Sequence, residues 1–198
     1  MVGLLYFQEN IKMKLSIRKY HINECITFKS TKGKYGALSN MAPSFPLKIN
    51  NIKIPNSEIL YQALRFPNNA EIQEKLIIFN SPIFAKKYSR NYLNKSREDW
   101  NITRFKIMKF CIQLKLFQNF ETFSKVLLET GDKPIVEFTE KDKVWGATLE
   151  GEYYEGTNAL GRLLMELRED LRNNNFKVEI PDIENFYFMN KKITLDSL

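Results

Sequence analysis

The chain reads as an α+β protein, a mostly helical single domain with a small β-sheet or hairpin. Three observations carry that reading. Its 198 residues are the size of one domain and enough to bury a core without disulfide or metal staples. Hydrophobic residues at 43% and charged residues at 27% are an ordinary globular balance. Segments with helix-start signals or 3.6-residue periodicity outnumber the strand-like runs.

Taken in order, residues 1–23 form a variable N-terminal segment with no clear structural signal, in which Met13 offers an alternative start. Met1 to Phe7 is briefly apolar but lacks the basic flank and long apolar stretch of a signal peptide. Glu24 to Lys29 predicts a strand, and Gly33 to Pro43, rich in Gly, Ser, Asn and Pro, a loop. Phe45 to Ile49 and Ile52 to Ile54 flank Asn50-Asn51, a two-residue hairpin turn. Asn56 or Ser57 caps a helix running to about Phe66. A second helix covers about Ala70 to Phe79, and Ser81-Pro82 starts a third that ends near Ser89.

From about Arg97 to Leu116 the apolar positions Ile102, Phe105, Met108, Ile112 and Leu116 predict a long helix, with another over Phe120 to Glu129. Gly131-Asp132 is a turn, Ile135 to Phe138 a short strand, and Val144 to Thr157 a glycine-containing loop. Asn158 to Leu171 is a helix with Leu160, Leu163, Leu164, Leu167 and Leu171 on one face. The tail, residues 173–198, is Asn-rich and then apolar at Phe186-Tyr187-Phe188, fitting either an added strand or a surface segment.

Composition narrows the chemistry. The two cysteines, Cys25 and Cys111, are isolated and read as reduced thiols in a cytoplasmic protein, with Cys111 in the core. One histidine, His21, makes zinc chemistry or a catalytic triad a poor expectation, so acid–base work falls to carboxylates and lysines. No stretch approaches the length of a membrane span. The net charge of +7 points to an anionic partner: a nucleotide, a phosphorylated metabolite or nucleic acid.

A few polar groups look out of place. At about 100° per residue, Glu58, Gln62 and Arg65 share an arc of roughly 60° on an otherwise apolar helix. That stripe is either the solvated face of a surface helix or the lining of a polar cleft. Trp100 and Trp145 read either as core plugs or as flat surfaces for stacking a base. Lys86, Lys87 and Arg90 read as a solvated face, unless a pocket lysine condenses with an aldehyde. Gly161-Arg162 could set backbone N–H groups and a cation near a phosphate.

Several segments, in order, resemble the NADAR family, named for association with NAD and ADP-ribose. They are Tyr35 to Pro43, Ser57-Glu58 to Arg65-Phe66, Ser81-Pro82 with Ala85-Lys86, and Asp99-Trp100. Thr130-Gly131-Asp132 with Pro134 to Glu137, Asp142 with Trp145-Gly146-Ala147, and Asn158 with Leu160 to Arg168 complete the set. The likeness runs over about residues 26 to 172, so residues 24–172 are expected to be the catalytic domain and residues 173–198 a tail without a family role.

The resemblance implies a mostly helical α+β fold and N-glycosidase chemistry that needs no cofactor. One branch hydrolyses ribosylamino-pyrimidine phosphates, reactive intermediates of riboflavin synthesis. The other removes ADP-ribose from guanine in DNA or nucleotides, as antitoxin to an ADP-ribosyltransferase toxin. A third reading is a non-catalytic ADP-ribose or NAD sensor. The residues Leu60 to Pro67, Ala85-Lys86 and Trp145-Gly146-Ala147 resemble the antitoxin branch. Riboflavin-type members tend to have His after the glutamate, no lysine at the position of Lys86, and Asp after Trp-Gly. The family pattern is departed from at Ile59.

As the resemblance implies roles, Glu58 stabilises charge at the ribose and Lys86 attacks C1, giving a Schiff base. Asp142 is a second acid–base or orienting group. Trp100 and Trp145 shape the base pocket, with Gly146 and Asn158 in the substrate-binding set. Asn40, Gln62, Arg65 and Arg162 hold ribose hydroxyls or phosphates.

Overall fold

The computed structural model describes residues 16–198. Met1 to Phe7 and Met13 therefore lie outside the described residues. In chain order the elements are β1 (Arg18–His21), β2 (Ile26–Phe28), β3 (Leu47–Ile49), β4 (Ile52–Ile54), α1 (Ser57–Ala63), α2 (Ala70–Ile77) and α3 (Pro82–Ser89). There follow α4 (Trp100–Gln118), α5 (Phe120–Leu128), β5 (Ile135–Glu137), β6 (Thr148–Glu150), β7 (Tyr153–Gly156), α6 (Ala159–Arg172), β8 (Tyr187–Phe188) and β9 (Lys191–Lys192). The class is α+β, with the helices and short strands that the periodicity predicts.

Two compact units are drawn from interleaved stretches of chain: residues 16–39 with 126–174, and residues 40–125 with 175–198. Unit one is built on an antiparallel sheet in the order β1-β7-β6 and a parallel pair β2-β5. Helix α6 packs on β5, burying Leu160, Leu163, Leu164 and Leu167. Three of its strands differ from the sequence reading. Val144 to Thr157, expected as loop, holds the β6–β7 hairpin, turned at Gly151 with φ of 61°. The run Arg18–His21, where the sequence carries no clear signal, is a strand because β7 offers it a partner, with Arg18 opposite Gly156. Neither strand shows clean alternation: β1 has one buried residue and β6 one. Cross-strand pairing, rather than an apolar face, specifies them.

Unit two is helical. The hairpin β3-β4 turns on Asn50 and Asn51 with φ of 51° and 64°, the left-handed pair that a two-residue turn requires. Helix α4 buries Phe105, Ile107, Met108, Phe110, Cys111, Ile112, Leu114 and Leu116, while Ile102, expected on its apolar face, is exposed. The tail joins this unit's core: β8 and β9 form a hairpin, Phe186 meets Phe110 edge-on at 5.1 Å between centroids, and Phe188 and Ile193 are fully buried. Gln73 anchors it, donating to Tyr187 O at 3.2 Å and accepting from Met189 N–H at 2.6 Å. No helix among the described residues is long and apolar enough to cross a membrane.

Lys115 is buried within α4, its ammonium 4.5 Å from the Phe45 ring centroid and 4.1 Å from that of Phe123. The two ring faces offset part of the lost hydration. Burial still pulls its pKa from 10.5 down to about 7. Between those values the unfolded chain binds more protons than the folded one, so stability rises with pH across that window and is lowest below it. The melting temperature of the wild type is expected to climb, relative to Lys115→Met, between about pH 7 and about pH 10. Parallel Tm curves for the two proteins would remove Lys115 as the cause.

Candidate active site

Helix α1 has an unusual burden: all seven of its residues are buried, among them Ser57, Glu58 and Gln62. The Asn56 side chain caps it, accepting from Ile59 N–H at 3.0 Å. Glu58 is 6% exposed and Gln62 4%, so the stripe is no solvated face. Buried polar groups at such a place need partners. Gln62 Nε2 donates to Glu58 Oε1 at 2.8 Å, and Ser89 Oγ, on α3, donates to Gln62 Oε1 at 2.7 Å. A relay of hydroxyl, amide and carboxylate thus ties α3 to α1 and fixes one oxygen of Glu58. Its second oxygen accepts no hydrogen bond among the described residues and is not sealed from solvent. The charge is felt locally: burial and then Glu58 push the Tyr61 phenol and the Cys111 thiol well above their ordinary values.

Sequence reasoning missed Ser89, which it treated only as a helix end. The available signal was spacing: Ser89 lies one helical turn past Ala85, and both are buried on the α3 face that meets α1. Lys86 stands three residues before Ser89, roughly 60° around the helix from it. It is half-buried, and its ammonium has no hydrogen bond or ion pair among the described residues.

Two further buried polar atoms sit at the start of α1. Asn40 accepts the Glu58 backbone N–H at 3.0 Å through its carbonyl, and its Nδ2 points at the Met108 sulfur at 2.7 Å. Asn40 Oδ1 and Ser57 Oγ have no hydrogen-bond partner among the described residues. Arg65 donates through Nε to Ser96 Oγ at 2.8 Å and lies 5.0 Å from the Trp100 ring centroid. Burial first, and then the nearby guanidinium groups of Arg104 and Arg90, lower its pKa. Trp100 is buried between Arg65 and Tyr61, whose ring is 4.9 Å away, which places it as packing for the Arg65 guanidinium.

The remaining expected residues belong to unit one. Asp142 Oδ1 accepts from Val144 N–H and Trp145 N–H, both at 2.9 Å, and the Asp142 carbonyl accepts from Gly146 N–H at 3.2 Å. Its Oδ2 accepts no hydrogen bond among the described residues. Asn158, fully buried with φ of 50°, clamps β5: Oδ1 accepts from Glu137 N–H at 3.0 Å and Nδ2 donates to Ile135 O at 2.8 Å. A Cβ on Gly161 would collide with Ile135 O and the Asn158 amide, so only glycine fits there. Arg162 is half-buried; burial, then Arg18, lowers its pKa. The structure therefore joins Glu58 to Gln62, Arg65 to Trp100, and Asp142 to Trp145 and Gly146. An open groove of about 660 Å³ in unit one is lined by Glu24, Tyr35, Thr130, Asp132 and Lys133, and holds none of the expected site residues.

The NADAR domain family profile matches residues 27–172. N-glycosidase YbiA of Escherichia coli (strain K12) is 35% identical over 146 residues, 74% of this chain and 88% of that protein. A riboflavin biosynthesis protein of Vibrio vulnificus (strain YJ016) is 33% identical over 156 residues, 79% of this chain and 41% of its own length. The NMR structure of E. coli YbiA superposes with a TM-score of 0.66 at 31% identity, covering 83% of this chain and 94% of that one. These matches make the chain a hydrolase of the N-glycosidase class. It belongs to the NADAR domain family.

Ser89→Ala is expected to destabilise the fold by about 1–3 kcal/mol, because it orphans the buried Gln62 oxygen. Chemical denaturation measures this; an unchanged midpoint would show that the relay carries no load.

Proposed function

We propose that the chain removes ADP-ribose from guanine in DNA or nucleotides by cleaving the ribose C1–N bond. The observation that carries this reading is Lys86, a half-buried amine with no hydrogen bond or ion pair among the described residues, beside the relay that holds Glu58. An amine so placed can take part covalently at a sugar C1. Lys86 Nζ, as the neutral amine, bonds C1 while the C1–N electron pair leaves on the guanine nitrogen, which takes up a proton. Ring opening moves the C1–O4′ pair to O4′, which takes the proton that Nζ loses, and leaves an iminium. Water then adds at C1, the C1–Nζ bond breaks, and ADP-ribose and the free amine are released. Glu58, through its open oxygen, faces the positive charge that develops at C1.

Other features support an anionic, hydroxyl-rich substrate. Arg104 and Arg90 each lie near enough to Arg65 to lower its pKa, a cationic neighbourhood that a diphosphate would suit. Asn40 Oδ1 and Ser57 Oγ are buried acceptors and donors suited to ribose hydroxyls. Asp142 takes the second acid–base role in this proposal. A second reading, hydrolysis of ribosylamino-pyrimidine phosphates, is favoured by the relative named for riboflavin biosynthesis. Incubation with each substrate, scoring released base, separates the two. A non-catalytic sensor would turn over neither.

Borohydride should trap Lys86 on an ADP-ribosylated guanine substrate as a secondary amine, seen by intact mass. An adduct of equal yield in Lys86→Ala sinks the covalent role. Glu58→Ala is expected to lower kcat by about 100- to 1,000-fold, the scale of losing one stabiliser of transition-state charge. A folded variant with wild-type turnover would exclude Glu58 from catalysis.

A further inference from the structure

The sequence between Glu74 and Glu98 contains no carboxylate and six cationic residues: Lys75, Lys86, Lys87, Arg90, Lys95 and Arg97. In the structure this stretch is α3 and its flanks, all within unit two. Around α3, Ala85 and Ser89 are buried, and the opposite arc carries Ile83 at 66% exposure, Lys87, and Phe84 at 61%. Beside that arc Phe79 meets Tyr88 at 5.4 Å, and Tyr88 meets Tyr92 at 5.1 Å, a row of rings at the surface. Ile78 and Leu93 add exposed apolar area at its ends. None of Lys87, Arg90 and Lys95 is in an ion pair among the described residues.

From this surface we infer a docking site for single-stranded nucleic acid, in which bases stack on Phe84 and the Tyr88–Tyr92 row while Lys87, Lys95 and Arg90 track the phosphates. Apolar area alone would suit a protein partner. Here a cation interrupts the apolar side chains at every turn and no carboxylate balances it. An apolar partner would strip water from Lys87 and Arg90 without compensation. A polyanion with flat bases matches both halves of the surface. Lys86 lies on the same helix, so a strand held here passes the candidate active site. The inference thus deepens the nucleic-acid form of the function proposed above and rests on it for its biological sense.

The test uses the full chain and an unmodified, fluorescein-labelled single-stranded oligonucleotide of about a dozen nucleotides, read by anisotropy across a salt series. Wild type should bind, with log K falling against log salt at a slope of about −0.7 per phosphate contacted. Lys87→Glu with Lys95→Glu should weaken binding about tenfold or more and flatten the slope by roughly 1.4. Phe84→Ala should weaken binding about fivefold or more, the low end of one lost base stack, with the slope unchanged. All three positions are exposed, and hydrolysis of a mononucleotide substrate should be as in wild type. Absent binding, or binding indifferent to both variants, overturns the inference. So does concentration-dependent self-association lost in Phe84→Ala, which would mark the surface as a protein interface. If the chain binds the oligonucleotide as described yet leaves ADP-ribosyl-guanine intact, this site stands and the proposed reaction falls.

Discussion

A carboxylate buried in a helix with no solvent-facing side constrains everything around it. Helix α1 could not carry Glu58 inward unless something took up one of its oxygens, and the only groups on the same arc are Gln62 and Arg65. Gln62 does so, but an amide that donates from one end must be satisfied at the other. Ser89 supplies that second bond from α3. The position of α3 on α1 is thereby set by polar geometry as well as by packing, and with it the position of Lys86.

This unit sorts its polar atoms into two kinds. Glu58 Oε1, Gln62 and Ser89 are hydrogen-bonded in series, with Ser89 Oγ also 2.9 Å from the Lys86 carbonyl, and act as framework. Asn40 Oδ1 and Ser57 Oγ are buried and make no hydrogen bond among the described residues, whereas the second Glu58 oxygen, also without one, is not sealed from solvent. A buried polar atom left without a partner destabilises the fold, so Asn40 Oδ1 and Ser57 Oγ both count against stability. Arg104 and Arg90 act with burial to lower the pKa of Arg65.

The hairpin at Asn50-Asn51, all six described α-helices and the parallel strand Ile135–Glu137 were legible because each has a local cause: a turn pair, a cap, or apolar periodicity. The strands β1 and β6 were not, because their specification is the partner strand. Glu58 was legible as an oddity on an apolar helix, and the family likeness gave it a role. Its inward orientation was not, since 100° spacing describes a face without saying what covers it. Ser89 was hidden for the same reason: its partner Gln62 lies 27 residues away. Trp100 shows the limit from the other side, its indole engaged by Arg65 and Tyr61, which no pattern near Asp99-Trp100 discloses.

The clamp at Gln73 bears on how the chain is made. Its side chain bonds Tyr187, 114 residues later, and Met189, 116 residues later. At about 5–20 residues per second, a ribosome needs on the order of ten seconds to deliver those partners after α2 has emerged. Throughout that interval the second unit lacks its closing hairpin, and the remaining elements of the first unit, the last ending at Arg172, are added before Tyr187 is reached. The threading thus sets an order of synthesis: the half that carries Glu58 and Lys86 is the last to receive all of its elements.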